Sequence, residues 1–473
     1  MPPTVALAVW LVLLLALLRF DPAKETGVSL ALWVPVMWMF IMGSRLPSQW
    51  LGAEDFEAAL ALETGNPLDR VVYSVLIVLA IGILLSRAFK WDFFIKHNGA
   101  LALFLLFALL SVFWSDFTFI AAKRWFRDLG NYLMILVVLS DTHPSEAIRI
   151  FLRRIHYLLV PLSVLLVKYY AQVGKHYNPW TGAPEFVGAA TSKNTLGVLC
   201  LMSGIFFFWD TVSRWSKRKE KQTRQILLLN LAFMVMTVWL LDMSKSATSS
   251  VCLVLGCLVI LVTHSGWGQR HPGWIKVMMP TSFILYLVLA FGLGLNGDLA
   301  RGIGRDPSLT GRTNIWQAVL STNTNPVVGT GYESFWLGPR LLQVWKLAGP
   351  ITEAHDGYLD VYLNLGVIGL VLLTVLLISS YQAICKKLTP YSDLASLFVA
   401  LWTIALFYNM TEAAFKAPFM SLTFLLGSIA VAAPRSAQAQ EPLFERPSIR
   451  KKKDKDTFVR GALPVQPRKN SLG

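Results

Sequence analysis

The sequence predicts an all-α protein: a polytopic transmembrane helical bundle of about 12–13 spans, with a large extracytoplasmic loop carrying short helices. Three observations predict this. First, 55% of the 473 residues are hydrophobic and 15% are charged, whereas soluble domains carry about 25% charged residues. Composition alone excludes an ordinary soluble enzyme. Second, the apolar residues gather into uninterrupted runs, many near the ~20 residues that cross a bilayer as a helix. A membrane barrel would show short alternating segments instead. Third, the formal charge of +15, from 43 basic and 28 acidic residues, is largely concentrated in short segments between and after the runs. Such segments orient membrane proteins, so the lipid bilayer is an expected partner and nucleic acid is not.

In chain order the spans fall at 4–20, 27–43, 70–87, 99–114, 128–141, 151–170, 195–213, 226–243, 249–265, 277–296, 359–380, 394–411 and 417–433. The first follows Met1-Pro2-Pro3 with no basic residue ahead of it, so it reads as a retained helix and not as a secretory signal. Cys200, Cys252 and Cys257 lie within apolar runs and Cys385 lies beside Lys386 and Lys387; all four read as small hydrophobes. Segment 214–224 holds six basic residues against one acid, and the tail after Pro434 holds ten against four. Both belong on the cytoplasmic face, and the six spans between them agree. The opposite face then receives 44–69, 115–127, 171–194, 244–248, 297–358 and 412–416. Residues 1–434 thus form a polytopic membrane domain, 297–358 a large extracytoplasmic loop within it, and 435–473 a basic disordered cytoplasmic tail. A loop of 62 residues exceeds any simple connection. Its Trp316, Tyr332, Phe335, Trp336, Trp345 and Tyr358 can pack, and helices are expected over 314–321, capped by Thr313, and near 339–348.

The outer segments carry the candidate chemistry. Lys123, Arg124 and Arg127 lie on the face where anchoring cations are not expected. Arg124 and Arg127 share a helix face and can hold a phosphate or pyrophosphate through forked hydrogen bonds; the alternatives are snorkelling to headgroups or pairing of Arg124 with Asp128. Arg312 follows Gly311 at an expected helix start, where backbone N–H groups also favour anions; a solvated arginine on a structural loop is the alternative. Glu353-Ala354-His355-Asp356-Gly357-Tyr358 precedes a span. If helix begins there, His355, Tyr358 and Tyr362 share a face and His355 can act as a general base; a boundary histidine bonded to a headgroup is the alternative. No second histidine or carboxylate cluster shows metal-ligand spacing, so no metal is expected. Thr191-Ser192-Lys193-Asn194, a nearly buried Lys245, and Asn409, Glu412 and Lys416 interrupt apolar stretches. They read either as functional groups or as polar glue between helices, including Glu412–Lys416 pairing.

Together these segments resemble the O-antigen ligase and polymerase superfamily, and most closely its exopolysaccharide polymerase-like branch. The resemblance is carried by Ser111-Val112-Phe113-Trp114-Ser115 with Lys123-Arg124, by Ser192 to Gly197, by Ser244-Lys245-Ser246, by Leu309 to Trp316, by Pro326 to Trp336, by His355 to Leu370, and by Asn409-Met410-Thr411-Glu412. It spans roughly residues 70–430. Asp356 departs from the asparagine that many relatives have there, and the family more often has about twelve spans. The resemblance implies an inverting, metal-independent glycosyltransferase without a cofactor. The donor would be a glycan on undecaprenyl pyrophosphate, and the acceptor a glycan or lipid. Polymerisation in exopolysaccharide or O-antigen biosynthesis is the leading expectation. Ligation to lipid A-core of lipopolysaccharide, or transport of lipid-linked oligosaccharide, are the alternatives. His355 and Arg312 would be catalytic; Arg124, Arg127, Arg312 and Lys245 would bind the pyrophosphate; Trp316, Tyr332, Trp336, Tyr358 and Glu412 would contact sugar or acceptor. The protein would sit in the bacterial inner membrane with its active face periplasmic, and a chain-length regulator protein is a candidate partner.

Overall fold

The structure is a computed structural model that describes residues 1–19, 27–52, 65–87, 89–177, 182–292, 312–388 and 393–415. Within these residues the regular structure is helical apart from a small antiparallel hairpin, Lys175–Tyr177 with Pro184–Phe186, in which His176 faces Glu185. Seven helices are long and apolar enough to cross a membrane: Pro67–Ser86, Pro144–Tyr169, Lys193–Lys217, Lys221–Ser244, Ala247–His264, Pro272–Ala290 and Gly357–Lys386. Shorter apolar helices run over Pro3–Arg19, Leu30–Gly43, Gly99–Trp114 and Asp393–Tyr408. The protein is therefore an all-α, multi-pass membrane protein. The expected span 417–433, residues 297–311 of the outer loop, and the tail 435–473 lie outside the described residues.

One span differs from expectation. Segment 115–127 is not a loop before a short span at 128–141; a tight turn at Ser115–Phe117 leads into one helix, Thr118–Leu139. The physical reason is that Lys123, Arg124 and Arg127 interrupt the hydropathy without interrupting helix propensity. Arg124 and Arg127 therefore sit on a rigid rod.

Burial separates centre from rim. In Pro144–Tyr169, 89% of the spanning window is buried inside the protein, against 28% in Lys221–Ser244. The central helices accordingly tolerate polar groups, such as the buried pair His156 and Ser203 at 2.8 Å, because neighbouring helices satisfy them. Close approach uses small residues: a Cβ at Gly256 would come within 2.4 Å of Ile205 and 2.5 Å of Ile404.

The helix Gly357–Lys387 is broken at Gly366, which has φ 64° and ψ −164°. Backbone groups freed at such a break need other partners at membrane depth. The segment 325–336 supplies them. Val367 and Ile368 donate to the carbonyls of Pro326 (2.9 Å) and Val327 (3.2 Å), while Thr330 and Gly331 donate to Leu363 and Asn364. The side-chain oxygen of Asn364 accepts from Ser334 and Phe335 N–H at 2.9 and 3.1 Å. A Cβ at Gly366 would lie 2.3 Å from the Val327 backbone, so glycine is required by both conformation and space. The 325–336 segment is thus laced into the bundle.

Candidate active site

Two short helices precede the long broken helix, Arg312–Leu320 and Gly338–Ala348. The first begins at Arg312, two residues earlier than expected, so Thr313 lies within it and is not its cap. Ile315, Val319, Phe335, Trp336, Leu341, Val344 and Leu363 form a small core of their own. That core holds the chain approaching His355. The Trp316 indole N–H donates to the Ala354 carbonyl at 3.0 Å. The Trp336 indole donates to Asp360 at 2.8 Å, and the other oxygen of Asp360 accepts from Ala354 N–H at 3.2 Å.

His355 itself lies outside the following helix, with a left-handed φ of 49°. Helix starts at Gly357, capped by Asp356, which accepts from Leu359 N–H at 2.9 Å. His355, Tyr358 and Tyr362 therefore do not form the shared helical face that the spacing suggested. The capping carboxylate starts the helix two residues too late for that.

Glu412 joins the parts. It is 5% exposed. One oxygen accepts from Arg312 at 2.7 Å, Asn194 donates to both oxygens at 3.2 and 3.1 Å, and His355 Nδ1 lies 3.2 Å from the other oxygen. Glu353 lies 3.1 Å from the same Nδ1. Burial works against charge on the imidazole, but the hydrogen bonds and negative charge of Glu353 and Glu412 override it, and His355 is pushed up to about 10. Resting His355 is therefore an imidazolium. Glu353, His355 and Glu412 also present ligand-type atoms within 4.8 Å of one another, a carboxylate cluster that sequence spacing did not reveal. Their chemistry fits acid–base partners better than a cation cage, because Arg312 and Asn194 already occupy the Glu412 oxygens.

Beside this cluster lies a cavity of about 870 Å³. Its polar wall carries Lys123, Arg124, Arg127, Asp128, Glu333 and Glu353, and its apolar wall includes Ile41, Ile77, Ile120 and Phe126. Arg127 pairs with Asp128 at 2.9 Å, so Arg127, and not Arg124, takes that carboxylate. Tyr332 donates its hydroxyl to the other oxygen of Asp128 at 3.0 Å. Arg124 donates to the Glu333 carbonyl at 2.5 Å, and Glu333 has a left-handed φ of 52°. Two of the three non-glycine residues with positive φ among those described, Glu333 and His355, thus sit at this site, as strained backbone often does.

Of the residues singled out from sequence, Arg312, His355 and Glu412 are brought into direct contact. Arg124, Arg127 and Trp336 line the cavity, and Tyr332 braces it through Asp128. Trp316, Trp336 and Tyr358 each spend a polar atom on the protein, the Tyr358 hydroxyl donating to the Leu406 carbonyl at 3.2 Å. Trp336 is 2% exposed, so its ring is a wall. Lys245 is a correction: its side chain is 72% exposed and pairs with Asp242 at 2.8 Å. It caps a helix end in the left-handed region, which swings the side chain out of the bundle, and it does not line the cavity. Glu353 and Asn194 received no separate role from sequence. A carboxylate two residues before His355 was the available signal for Glu353; Asn194 stood out only within the polar stretch 191–194 before a span, and its partner lies 218 residues away.

Known proteins can now be set beside this geometry. Residues 229–374 match the family described as O-antigen ligase. The chain is also 25% identical over 299 residues to the exopolysaccharide production protein ExoQ of Rhizobium meliloti (strain 1021), covering 60% of this chain and 65% of that protein, less than two thirds of its length. Both findings support the placement of this chain in the O-antigen ligase and polymerase superfamily. The family match takes in Arg312, Glu353, His355 and the 325–336 loop, while Arg124, Arg127 and Glu412 lie outside it.

Proposed function

We propose that the protein is a membrane-embedded, inverting glycosyltransferase that polymerises glycans carried on undecaprenyl pyrophosphate, acting at the periplasmic face of the bacterial inner membrane. The observation that carries this is one carboxylate, Glu412, binding Arg312 and His355 together beside a cavity that holds Arg124 and Arg127 and has an apolar wall. The acceptor hydroxyl attacks the anomeric carbon, the new C–O bond forms, and the bond to the diphosphate breaks with its electron pair going to the diphosphate oxygen. The hydroxyl proton passes to the His355 ring in the fraction of molecules where it is neutral. Arg124, Arg127 and Arg312 offset the charge gathering on the leaving diphosphate, so the step runs without a metal. The apolar wall suits the polyprenyl chain. ExoQ is named for exopolysaccharide production, which favours a polymer as product; the family description favours ligation to a separate acceptor such as lipid A-core. A chain-length regulator is the partner that polymerisation would call for.

The test is transfer by purified protein in proteoliposomes carrying labelled lipid-linked glycan, with chelator present. Longer glycan should form, and His355→Ala or Arg312→Ala should reduce it by about 10²–10⁴-fold while the protein remains in the membrane. Labelled lipid crossing the bilayer without a chemical product would show a transporter instead. Undiminished polymer in both variants, or full loss with chelator, would overturn the mechanism.

A further inference from the structure

Two carboxylates meet the same nitrogen of His355, and they differ in every other respect. Glu412 is nearly closed off, its side chain 6% exposed, and it ties the start of the Arg312–Leu320 helix and the start of the Lys193–Arg214 helix to the segment following Asp393–Tyr408. Glu353 is 35% exposed, lies in the bend just before the histidine, and lines the cavity. A single Nδ1–H facing acceptors at 3.1 and 3.2 Å is shared between them, so the ring is held in a fork with one buried and one accessible arm.

We infer that Glu353 is the positioning residue of this pair: from the cavity wall it fixes the ring with Nδ1–H turned toward the carboxylates and Nε2 left for the acceptor, and it sets how firmly the ring keeps its proton, while Glu412 chiefly holds the site together. This rests on the proposed transfer reaction for its purpose but not for its measurement. Other charged or titratable groups about the fork are Arg312, which balances Glu412; Tyr408, close enough to feel both carboxylates; and Asp356, turned to cap the helix. None of these shares the cavity position of Glu353. A carboxylate on Nδ1 stabilises imidazolium. Removing the accessible arm should lower proton affinity, with the buried arm still orienting the ring.

The experiment is a histidine-ring NMR titration of the full-length protein in detergent. Among its seven histidines, His355 is assigned by His355→Asn. The wild-type midpoint is expected near 10 and should fall by at least one pH unit in Glu353→Gln. The low-pH limb of the transfer rate should move by the same amount. An unchanged midpoint in folded Glu353→Gln overturns the proposal, as does a folded Glu412→Gln that alone shifts it. If Glu353→Gln does not fold, Glu353→Asp, which keeps the charge but shortens the reach, should show a smaller downward shift; no shift there also overturns it. A shifted midpoint with an unshifted rate profile keeps the Glu353–His355 coupling and removes His355 from the transfer step, and so separates the two proposals.

Discussion

Two buried carboxylates at opposite ends of the bundle invite comparison. Asp210 accepts from Arg149 at 2.5 Å, Arg214 at 3.0 Å, Arg153 at 3.3 Å and Asn230 at 3.0 Å. Glu412 accepts from Arg312 and Asn194 and meets His355. Both are a carboxylate, an asparagine and arginine, almost the same chemical set. The Asp210 partners all project from long helices, Pro144–Tyr169, Lys193–Arg214 and Lys221–Ser244, and Asp210 is 0% exposed. The Glu412 partners stand at helix starts or on bends, one of them titrates, and a second carboxylate opens the group to a cavity. The same pairing chemistry therefore serves cohesion where its members are locked on rods, and under the proposed function it serves reactivity where one member has a strained backbone and an outlet.

The most forceful way to break this contrast is to remove each carboxylate. Taking one partner from a buried ionic group costs about 3–5 kcal/mol. Glu412→Ala should therefore lose both stability and at least about 100-fold in transfer rate, whereas Asp210→Ala should lose comparable stability with the rate per folded molecule unchanged. Thermal unfolding in detergent with turnover normalised to folded protein checks both; equal losses of turnover would erase the distinction.

The pH profile sharpens it next. With His355 near 10, a reaction needing the neutral ring should speed up by about tenfold per pH unit from 7 toward 9. The stabilising contribution runs the other way. A histidine held above its free value near 6.5 stabilises the fold fully below that value and loses the contribution as pH rises through about 10. Initial rates and melting temperatures across pH 6.5–10 should move in opposite directions, and a flat rate profile would contradict the assigned base.

Gly366→Ala forces a side chain into the 325–336 clamp and should cost about 1–3 kcal/mol, seen as a lower melting temperature; an unchanged one would mean that the break tolerates a Cβ. Smallest of all, Lys245→Ala should stay within about 0.5 kcal/mol of wild type with transfer intact. A strong loss of transfer there would return Lys245 to the diphosphate site.

Much of the architecture was legible in the sequence because hydropathy and length are local. The apolar runs predicted most of the helices observed, and the short helix expected near 339–348 is Gly338–Ala348. Errors arose where two local signals competed. Cations within 118–127 masked a helix that continues through them, and Asp356, capping at Gly357, displaced a helix start that the histidine spacing alone had suggested. The clustered residues Arg312, His355 and Glu412 were also legible as candidates, since ionisable residues beside spans are costly and stand out. Lys245 was misplaced because sequence cannot report which way a left-handed cap turns a side chain.

By itself, then, the sequence determined a multi-pass helical membrane protein and the inventory of charges that interrupt or flank its spans, because both follow from how each segment partitions between water and lipid. The tertiary structure decided how those charges are paired. Arg312 meets Glu412 across 100 residues and Asn194 meets it across 218. Arg127 takes Asp128, and the broken helix at Gly366 takes its missing hydrogen bonds from a loop 40 residues away. These are long-range electrostatic and backbone contacts, set by how helices pack and not by any pattern along the chain.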